Sequence, residues 1–309
     1  MFATASAPLR AQPYPAKSIR FLVGFPPGGG ADTLARMIGK HLSQSWGRAF
    51  VIENRPGADS TIATELGVKS APDGYTIIFV TNAHVITPFQ RKLPYDPIRD
   101  IAPVTLVASG PNLLLVHPSL PVKSLKDFIA LAKSKPGVLN YGSSGAGTTV
   151  HLAGELFSVM TSTKMVHVPF KGAAESLTAL LSGETDLQFA SLSSAIPLIK
   201  SGRLRALGVT SLKRSPSIPE LATIAELGLP GYDAVAWYGI VGPAKLPADI
   251  VATIYKVALA SLGQQDVKTR LFNSGVEVRT LGPEEFAKYT ESEIAKWAKV
   301  VKASGARAG

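Results

Sequence analysis

Glycine, serine and threonine clusters carry the chemistry this chain advertises. The segment Gly24-Phe25-Pro26-Pro27-Gly28-Gly29-Gly30-Ala31-Asp32 lies between an apolar run, Ser18 to Val23, and a helical pattern that opens near Thr33. Three consecutive glycines leave no Cβ, so the backbone can approach a ligand closely. The helix that follows offers unpaired N–H groups at the positive end of its dipole, which is the chemistry of anion capture. An ATPase loop would need G-x-x-x-x-G-K-[ST], and no lysine follows Gly30. A dinucleotide fingerprint on Gly28 and Gly30 would need a third glycine where Thr33 stands. A ligand smaller than a nucleotide fits better, and a plain strand-to-helix turn is the competing reading.

A second loop, Tyr141-Gly-Ser-Ser-Gly-Ala-Gly-Thr-Thr-Val-His151, repeats the arrangement. Gly142, Gly145 and Gly147 free the backbone, while Ser143, Ser144, Thr148 and Thr149 supply hydroxyl groups at another helix start. If two domains bring these loops face to face, they grip one ligand that carries polar groups at both ends. A hydrolase built on Ser143 or Ser144 with His151 or His167 is the catalytic alternative, but the nucleophile elbow G-x-S-x-G would need glycine at position 146, which is Ala146.

Composition narrows the field. The chain has no cysteine, which excludes disulfides, thiolate catalysis and Cys-ligated metals. His41, His84, His117, His151 and His167 show no metal-ligand spacing, so neither a metal nor a cofactor is expected. With 309 residues, 46% hydrophobic and 17% charged, the chain can bury a large core divided between two domains. The net charge is +10, yet lysine and arginine are spread along the chain with no basic run interleaved with aromatics, which argues against nucleic acid. Diffuse positive charge raises encounter rates with small anions. No segment reaches the ~20 apolar residues of a membrane helix. The first residues, with small side chains in A-x-A order, resemble the tail of an export signal without its hydrophobic part.

The elements that must position the two loops alternate between strand and helix, as a parallel sheet with crossover helices demands. Residues 18–23 read as a strand, 33–45 as a helix with Leu34, Met37, Ile38 and Leu42 on one face, and 50–52 as a strand. A helix over 61–70 stops at the turn Ala71-Pro-Asp-Gly74 before a strand over 75–80. In the second region, helices near 124–134, 148–160, 174–182 and 192–200 alternate with strands near 138–141, 165–168, 187–190 and 205–210. Ala153, Leu156, Phe157 and Met160 form the apolar stripe of the helix after the second loop. Further helices follow, with Ile250, Ile254 and Val257 and then Ile294, Trp297 and Val301 as core positions. Extended stretches near 104–117 and 232–242 take the chain out of the first domain and back, the position of a hinge beside a cleft. The expected domains are residues 14–112 with 240–309, and residues 113–239; residues 1–13 are an extension.

The motifs Phe25-Pro-Pro-Gly-Gly-Gly-Ala-Asp32, Glu53-Asn-Arg-Pro-Gly-Ala58, Ala71-Pro-Asp-Gly-Tyr75, Leu93-Pro-Tyr-Asp-Pro97, Tyr141-Gly-Ser-Ser-Gly-Ala-Gly-Thr148, His151-Leu-Ala-Gly-Glu-Leu-Phe157, Val168-Pro-Phe-Lys-Gly172 and Arg205-Ala-Leu-Gly-Val209 occur in order. Together they resemble the Bug receptors, the periplasmic solute-binding proteins of tripartite tricarboxylate transporters, from about Tyr14 to Gly305. The resemblance implies a type II periplasmic-binding-protein fold: two α/β domains, a ligand cleft between them and two crossover hinge strands. It implies a monomer in the periplasm that closes on a carboxylate-bearing solute and passes it to membrane subunits of the transporter, without catalysis. A sensory adaptor for a membrane sensor would use the same closure. A carboxylate at each end of the ligand, aliphatic or aromatic, suits two loops without Arg or Lys, with a monocarboxylate or an amide as alternatives.

The same resemblance places Phe25, Pro26, Gly28, Gly29, Gly30 and Asp32 at one carboxylate and Ser143, Ser144, Ala146, Gly147 and Thr148 at the other end. After Gly57 the chain departs from the family, with Asp59 and Ser60 where the family keeps glycine, and these two are also expected at the ligand. Thr81, Asn82 and His84 resemble a loop that contacts ligand, with His84 as a cation or neutral donor. Lys171 is expected to support the cleft electrostatically and Ser191 to face it from a helix start. Trp237 and Tyr238 fall on the returning crossover, where they line the cleft or pack the hinge.

Overall fold

The computed structural model describes residues 14–28 and 30–305. The expected export-signal remnant and Gly29 lie outside them. In chain order the elements are β1 (Ile19–Val23), α1 (Gly30–Trp46), β2 (Phe50–Asn54), α2 (Thr61–Val68), β3 (Thr76–Thr81), the short α3 (Ala83–Ile86), β4 (Ile101–Gly110) and β5 (Asn112–Val116). Then come α4 (Leu125–Ser134), β6 (Asn140–Ser143), α5 (Thr149–Thr161), β7 (Val166–Pro169), α6 (Ala173–Ser182), β8 (Leu187–Ser191), α7 (Leu192–Lys200) and β9 (Arg205–Val209). The chain finishes with β10 (Ala236–Pro243), α8 (Ala248–Leu262), α9 (Gln265–Asn273), β11 (Glu277–Leu281) and α10 (Pro283–Ser304).

Two sheets result. The first runs β11-β4-β10-β3-β1-β2 and the second β7-β6-β8-β5-β9. In each, a parallel trio is extended by an antiparallel strand: β1 pairs in parallel with β2 and β3, and β10 enters antiparallel beside β3. Likewise β6 is parallel to β7 and β8, and β5 enters antiparallel beside β8. The parallel strands read as apolar runs because helices cover both faces, so alternation is absent from Ile19–Val23 and Thr76–Thr81, the latter buried at every position. The apolar faces expected of α1 and α5 are seated on the core, with Leu34, Ile38 and Leu42 of α1 and Leu152, Leu156 and Phe157 of α5 buried.

The chain crosses from the first sheet to the second at Pro111, the single residue between β4 and β5, and returns through residues 210–235 into β10. Residues 236–239, assigned from sequence to the second domain, pair with β3 and β4 of the first sheet. One core cluster draws on both sheets, with Leu22 and Ile78 from one, Leu114 and Phe189 from the other, and Trp237 of β10 and Trp297 of α10 between.

Alternation along β10 separates the two aromatic residues at this crossover. Trp237 points into the core against Phe286 and Tyr289, and Tyr238 points to the opposite face and stacks on Phe79. The indole N–H groups of Trp237 and Trp297 both donate to Glu293 Oε2, at 3.4 Å and 3.1 Å. Lys296 pairs with the same carboxylate and donates to the Asp233 carbonyl at 2.8 Å. Glu293, 3% exposed, thus ties the returning crossover to α10. Glu293→Leu strands two buried indole donors and is expected to cost about 2–4 kcal/mol, while Glu293→Gln keeps an acceptor and costs less. Urea denaturation reads both; a loss below about 1 kcal/mol for the leucine variant contradicts the assignment.

Candidate functional site

Open α/β sheets present ligands at the carboxyl ends of their parallel strands. Here the ends of β1, β3 and β6 converge on one cleft of about 370 Å³. From the first sheet it is lined by Phe25, Pro26, Gly30, Ala31, Asp59, Thr81, Asn82, Ala83, Ile86, Thr87 and Gln90, with Ala236 and Tyr238 from β10. From the second come Ala146, Gly147, Thr148 and Thr149. Gly30 and Thr149 are the first residues of α1 and α5. Two helix starts, each with first-turn N–H groups that have no intrahelical acceptor, therefore open on one space.

The first loop is shaped by Asp32, the third residue of α1. Its Oδ2 accepts from the Gly28 amide and from Arg36 Nε, both at 2.9 Å, and its Oδ1 accepts from Asn54 Nδ2 at 2.8 Å. Asn54 also donates to the Phe25 carbonyl at 3.0 Å and accepts from Arg36 Nη2 at 2.8 Å. Burial pushes the Asp32 carboxyl up, but the bonds from Arg36, Gly28 and Asn54 outweigh it and hold the acid below its ordinary range. Asp32 is 2% exposed and outside the lining, so it fixes the loop instead of meeting a ligand.

The start of α2 is built on three consecutive residues at positive φ, Ala58, Asp59 and Ser60, at 47°, 51° and 72°. Such a run is costly for residues with a Cβ, and two contacts hold it. A Cβ on Gly24 would lie 2.6 Å from Ser60 Cα, so the two backbones meet because Gly24 has none. Arg91 Nη2 bonds Asp59 Oδ2 at 2.7 Å, which answers the one carboxylate at the rim of the cleft. Ser60 itself is buried beneath Gly24.

The second loop rests on a stack of two imidazoles. The His151 and His167 rings lie 3.8 Å apart at 16°. The Gly147 amide donates to His151 Nδ1 at 2.9 Å, which requires that nitrogen to be unprotonated. His167 Nε2 meets Ser143 Oγ at 2.6 Å, and Ser143 in turn donates to the Gly145 carbonyl at 3.0 Å. Glu155 receives the Tyr141 hydroxyl and faces His151 at 3.6 Å; burial raises it, but bonds from His151 and Tyr141 hold it low. Thr148 caps α5, and Gly147 takes φ +77° with its Cα against the Gln90 amide. Across the cleft, Asn82 Nδ2 donates to Thr149 Oγ1 at 2.5 Å, a direct bond between elements of the two sheets.

Of the residues expected at the ligand, the structure gathers Phe25, Pro26, Gly30, Asp59, Thr81, Asn82, Ala146, Gly147 and Thr148 on the cleft. Gly29 lies outside the described residues. Asp32, Ser60 and Ser143 are buried behind the lining, Gly28 is exposed outside it with its amide bonded to Asp32, and Ser144 is half-buried beside it. His84, expected as a cleft group, is instead 4% exposed, bonded through Nε2 to the Pro97 carbonyl at 2.9 Å and stacked near Tyr95. Short helix α3 turns it to the rear, where burial pulls its pKa down to about 4. Lys171 and Ser191 are exposed away from the cleft; Ser191 Oγ is engaged with Ser194 Oγ at 2.9 Å. Ser143 is fully buried, so the Ser143–His167 pair has no access to a substrate in the cleft.

Sequence reasoning missed Ile86, Thr87 and Gln90. Ala83, Ile86, Thr87 and Gln90 follow i, i+3, i+4, i+7, a helical face, yet Pro88 makes the stretch read as a loop. Pro88 sits at the start of the 3₁₀ turn Thr87–Phe89, where a missing N–H costs nothing.

A family model described as tripartite tricarboxylate transporter family receptor matches residues 34–306. Protein BugT of Bordetella pertussis is 32% identical over 305 residues, spanning 98% of this chain and 94% of BugT. An R. palustris protein solved with adipate is 38% identical, with a TM-score of 0.77 over 95% of this chain and 99% of its own. MatC from Rhodopseudomonas palustris with bound malate is 32% identical, with a TM-score of 0.73 over 93% and 100%. Likeness over nearly whole chains places the two lobes in the periplasmic-binding-protein fold.

The imidazoles behind the cleft give stability a pH signature. His84 is held near pKa 4 by burial, and His167 near 4 by burial and by the neighbouring His151. An unfolded chain protonates both near 6.5 while the native fold resists. Stability is therefore full above pH 6.5 and falls as the pH drops toward about 4, by about 3 kcal/mol for the buried His84. Urea midpoints between pH 7.5 and 4.5 are expected to decline, and to decline less in His84→Gln. A flat wild-type profile contradicts this.

Proposed function

This chain belongs to the tripartite tricarboxylate transporter receptor family, the Bug receptors, and from that premise we propose that it captures a small carboxylate in the periplasm and hands it to the membrane subunits of a transporter. The single observation that carries the ligand class is the pair of helix starts, α1 and α5, opening on one cleft of about 370 Å³. That volume is in the range of small-molecule sites. Among the described residues, no lysine or arginine lines it, and Asp59 is paired with Arg91. Oriented backbone N–H groups and neutral side chains thus supply the attraction, in a low-dielectric space where such dipoles count for more than in water.

A linear dicarboxylate of four to six carbons suits two anion-seeking helix starts on opposite walls. The relatives solved with adipate and with malate support the same chemical class. Apolar Phe25, Pro26, Ile86 and Ala146 then accompany the methylene chain. Capture in a monomer follows closure of the two lobes about the crossings at Pro111 and 210–235, with the Asn82–Thr149 bond formed in the closed state.

A thermal-shift screen over such dicarboxylates tests this. A ligand at 100 times its Kd is expected to add about 2.7 kcal/mol to stability. Gly147→Val, which puts a Cβ 2.6 Å from Gln90 Nε2 at a positive φ, is expected to weaken binding at least ~tenfold while the fold is kept. If no dicarboxylate shifts the folded protein at millimolar concentration, the reading fails.

A further inference from the structure

We infer that Thr87 and Gln90 hold one polar end of the ligand through neutral hydrogen bonds and make the cleft select a second oxygen-bearing group over a plain alkyl end; this rests on the carboxylate reading above.

The cleft's other neutral polar side chains are largely engaged within the protein. Thr81 Oγ1 accepts from the Ala83 amide at 3.2 Å, and Thr148 Oγ1 donates to the Gly145 carbonyl at 2.7 Å. Asn82 and Thr149 bond each other. Thr87 Oγ1 and Gln90 Nε2, by contrast, are buried without a partner. Thr87 is 2% exposed, and both residues line the cleft.

A buried unpaired donor is costly, and folding does not leave it unmet without cause. The Gln90 amide is bonded to Thr87 O through the backbone at 3.0 Å, so the two side chains stand one turn apart on one face. Gly147 packs against the Gln90 amide from the opposite lobe, which brings these donors beside the second helix start when the lobes meet. Ile86 and Ala83 flank them with apolar surface. A ligand oxygen placed here satisfies both groups. An alkyl end leaves both stranded, and sites built to bond a polar group reject its absence strongly.

The discriminating experiment is calorimetric titration of the wild type, Thr87→Val, Gln90→Leu and the near-isosteric Gln90→Glu. The ligands are linear dicarboxylates of four to eight carbons and monocarboxylates of equal length. In the wild type the monocarboxylate Kd is expected to exceed the dicarboxylate Kd by at least ~tenfold. That ratio is expected to shrink at least ~fivefold in Thr87→Val and Gln90→Leu. In Gln90→Glu, like-charge repulsion should weaken the dicarboxylate further, and an ω-amino monocarboxylate should gain. A wild type that binds dicarboxylates with variants of unchanged ratio overturns the roles of Thr87 and Gln90 alone. A folded wild type that binds neither series overturns the carboxylate reading beneath it.

Discussion

The carboxylate of Asp32 is the constraint from which the first jaw of the cleft follows. A glycine-rich loop has many accessible conformations and gains a single one only when something outside it supplies the missing contacts. Asp32 does so by taking the Gly28 amide from the loop, Arg36 from its own helix and Asn54 from the neighbouring strand. Asn54 then takes the Phe25 carbonyl. The loop's start and end are thereby tied to α1 and β2, and Gly30 and Ala31 are presented to the cleft. Arg36 offsets the acid's charge beside the helix start, so the acid shapes an anion site without repelling an anion from it.

The second jaw reaches the same end by different means. Aromatic nitrogen replaces carboxylate oxygen: His151 takes the Gly147 amide, and His167 fixes Ser143. Both jaws are thus set by buried polar groups one layer behind the cleft surface, and the neutral polar groups on that surface are backbone, hydroxyl and amide, with Asp59 at the rim paired to Arg91. Pre-set donors need little reorganisation when an anion arrives, which is how a site without a formal cation holds one. The jaws are carried by separate sheets whose only covalent links are the crossings at Pro111 and 210–235, while Trp237, Trp297 and Glu293 anchor the return strand.

Much of this was legible in the sequence. The helix and strand pattern of the second region falls within a few residues of the observed elements, because continuous apolar runs bounded by glycine and proline mark buried parallel strands well. The two loops were found by composition, and nine of the expected residues lie on the cleft. Asp32 and Ser143 were legible as belonging to the site but not as standing behind it. Side-chain direction depends on bonds to Asn54 and His167, partners 22 and 24 positions away that composition does not reveal. His84 reads as a loop histidine until α3 turns it inward, and the Thr87–Gln90 face was hidden because Pro88 reads as a breaker when it opens a 3₁₀ turn. The strand β11 was missed, since its five residues are all half-buried and carry no clear periodicity.

The central claim is that two jaws from two sheets hold one carboxylate ligand through backbone N–H groups. It is tested most directly by titrating isotope-labelled protein with a linear dicarboxylate and following the amide resonances of Gly30 and Ala31 in the first jaw and of Thr149 in the second. The account predicts downfield proton shifts in both jaws that saturate along one binding curve with one Kd. Shifts confined to a single jaw, or two curves with different Kd values, would contradict it.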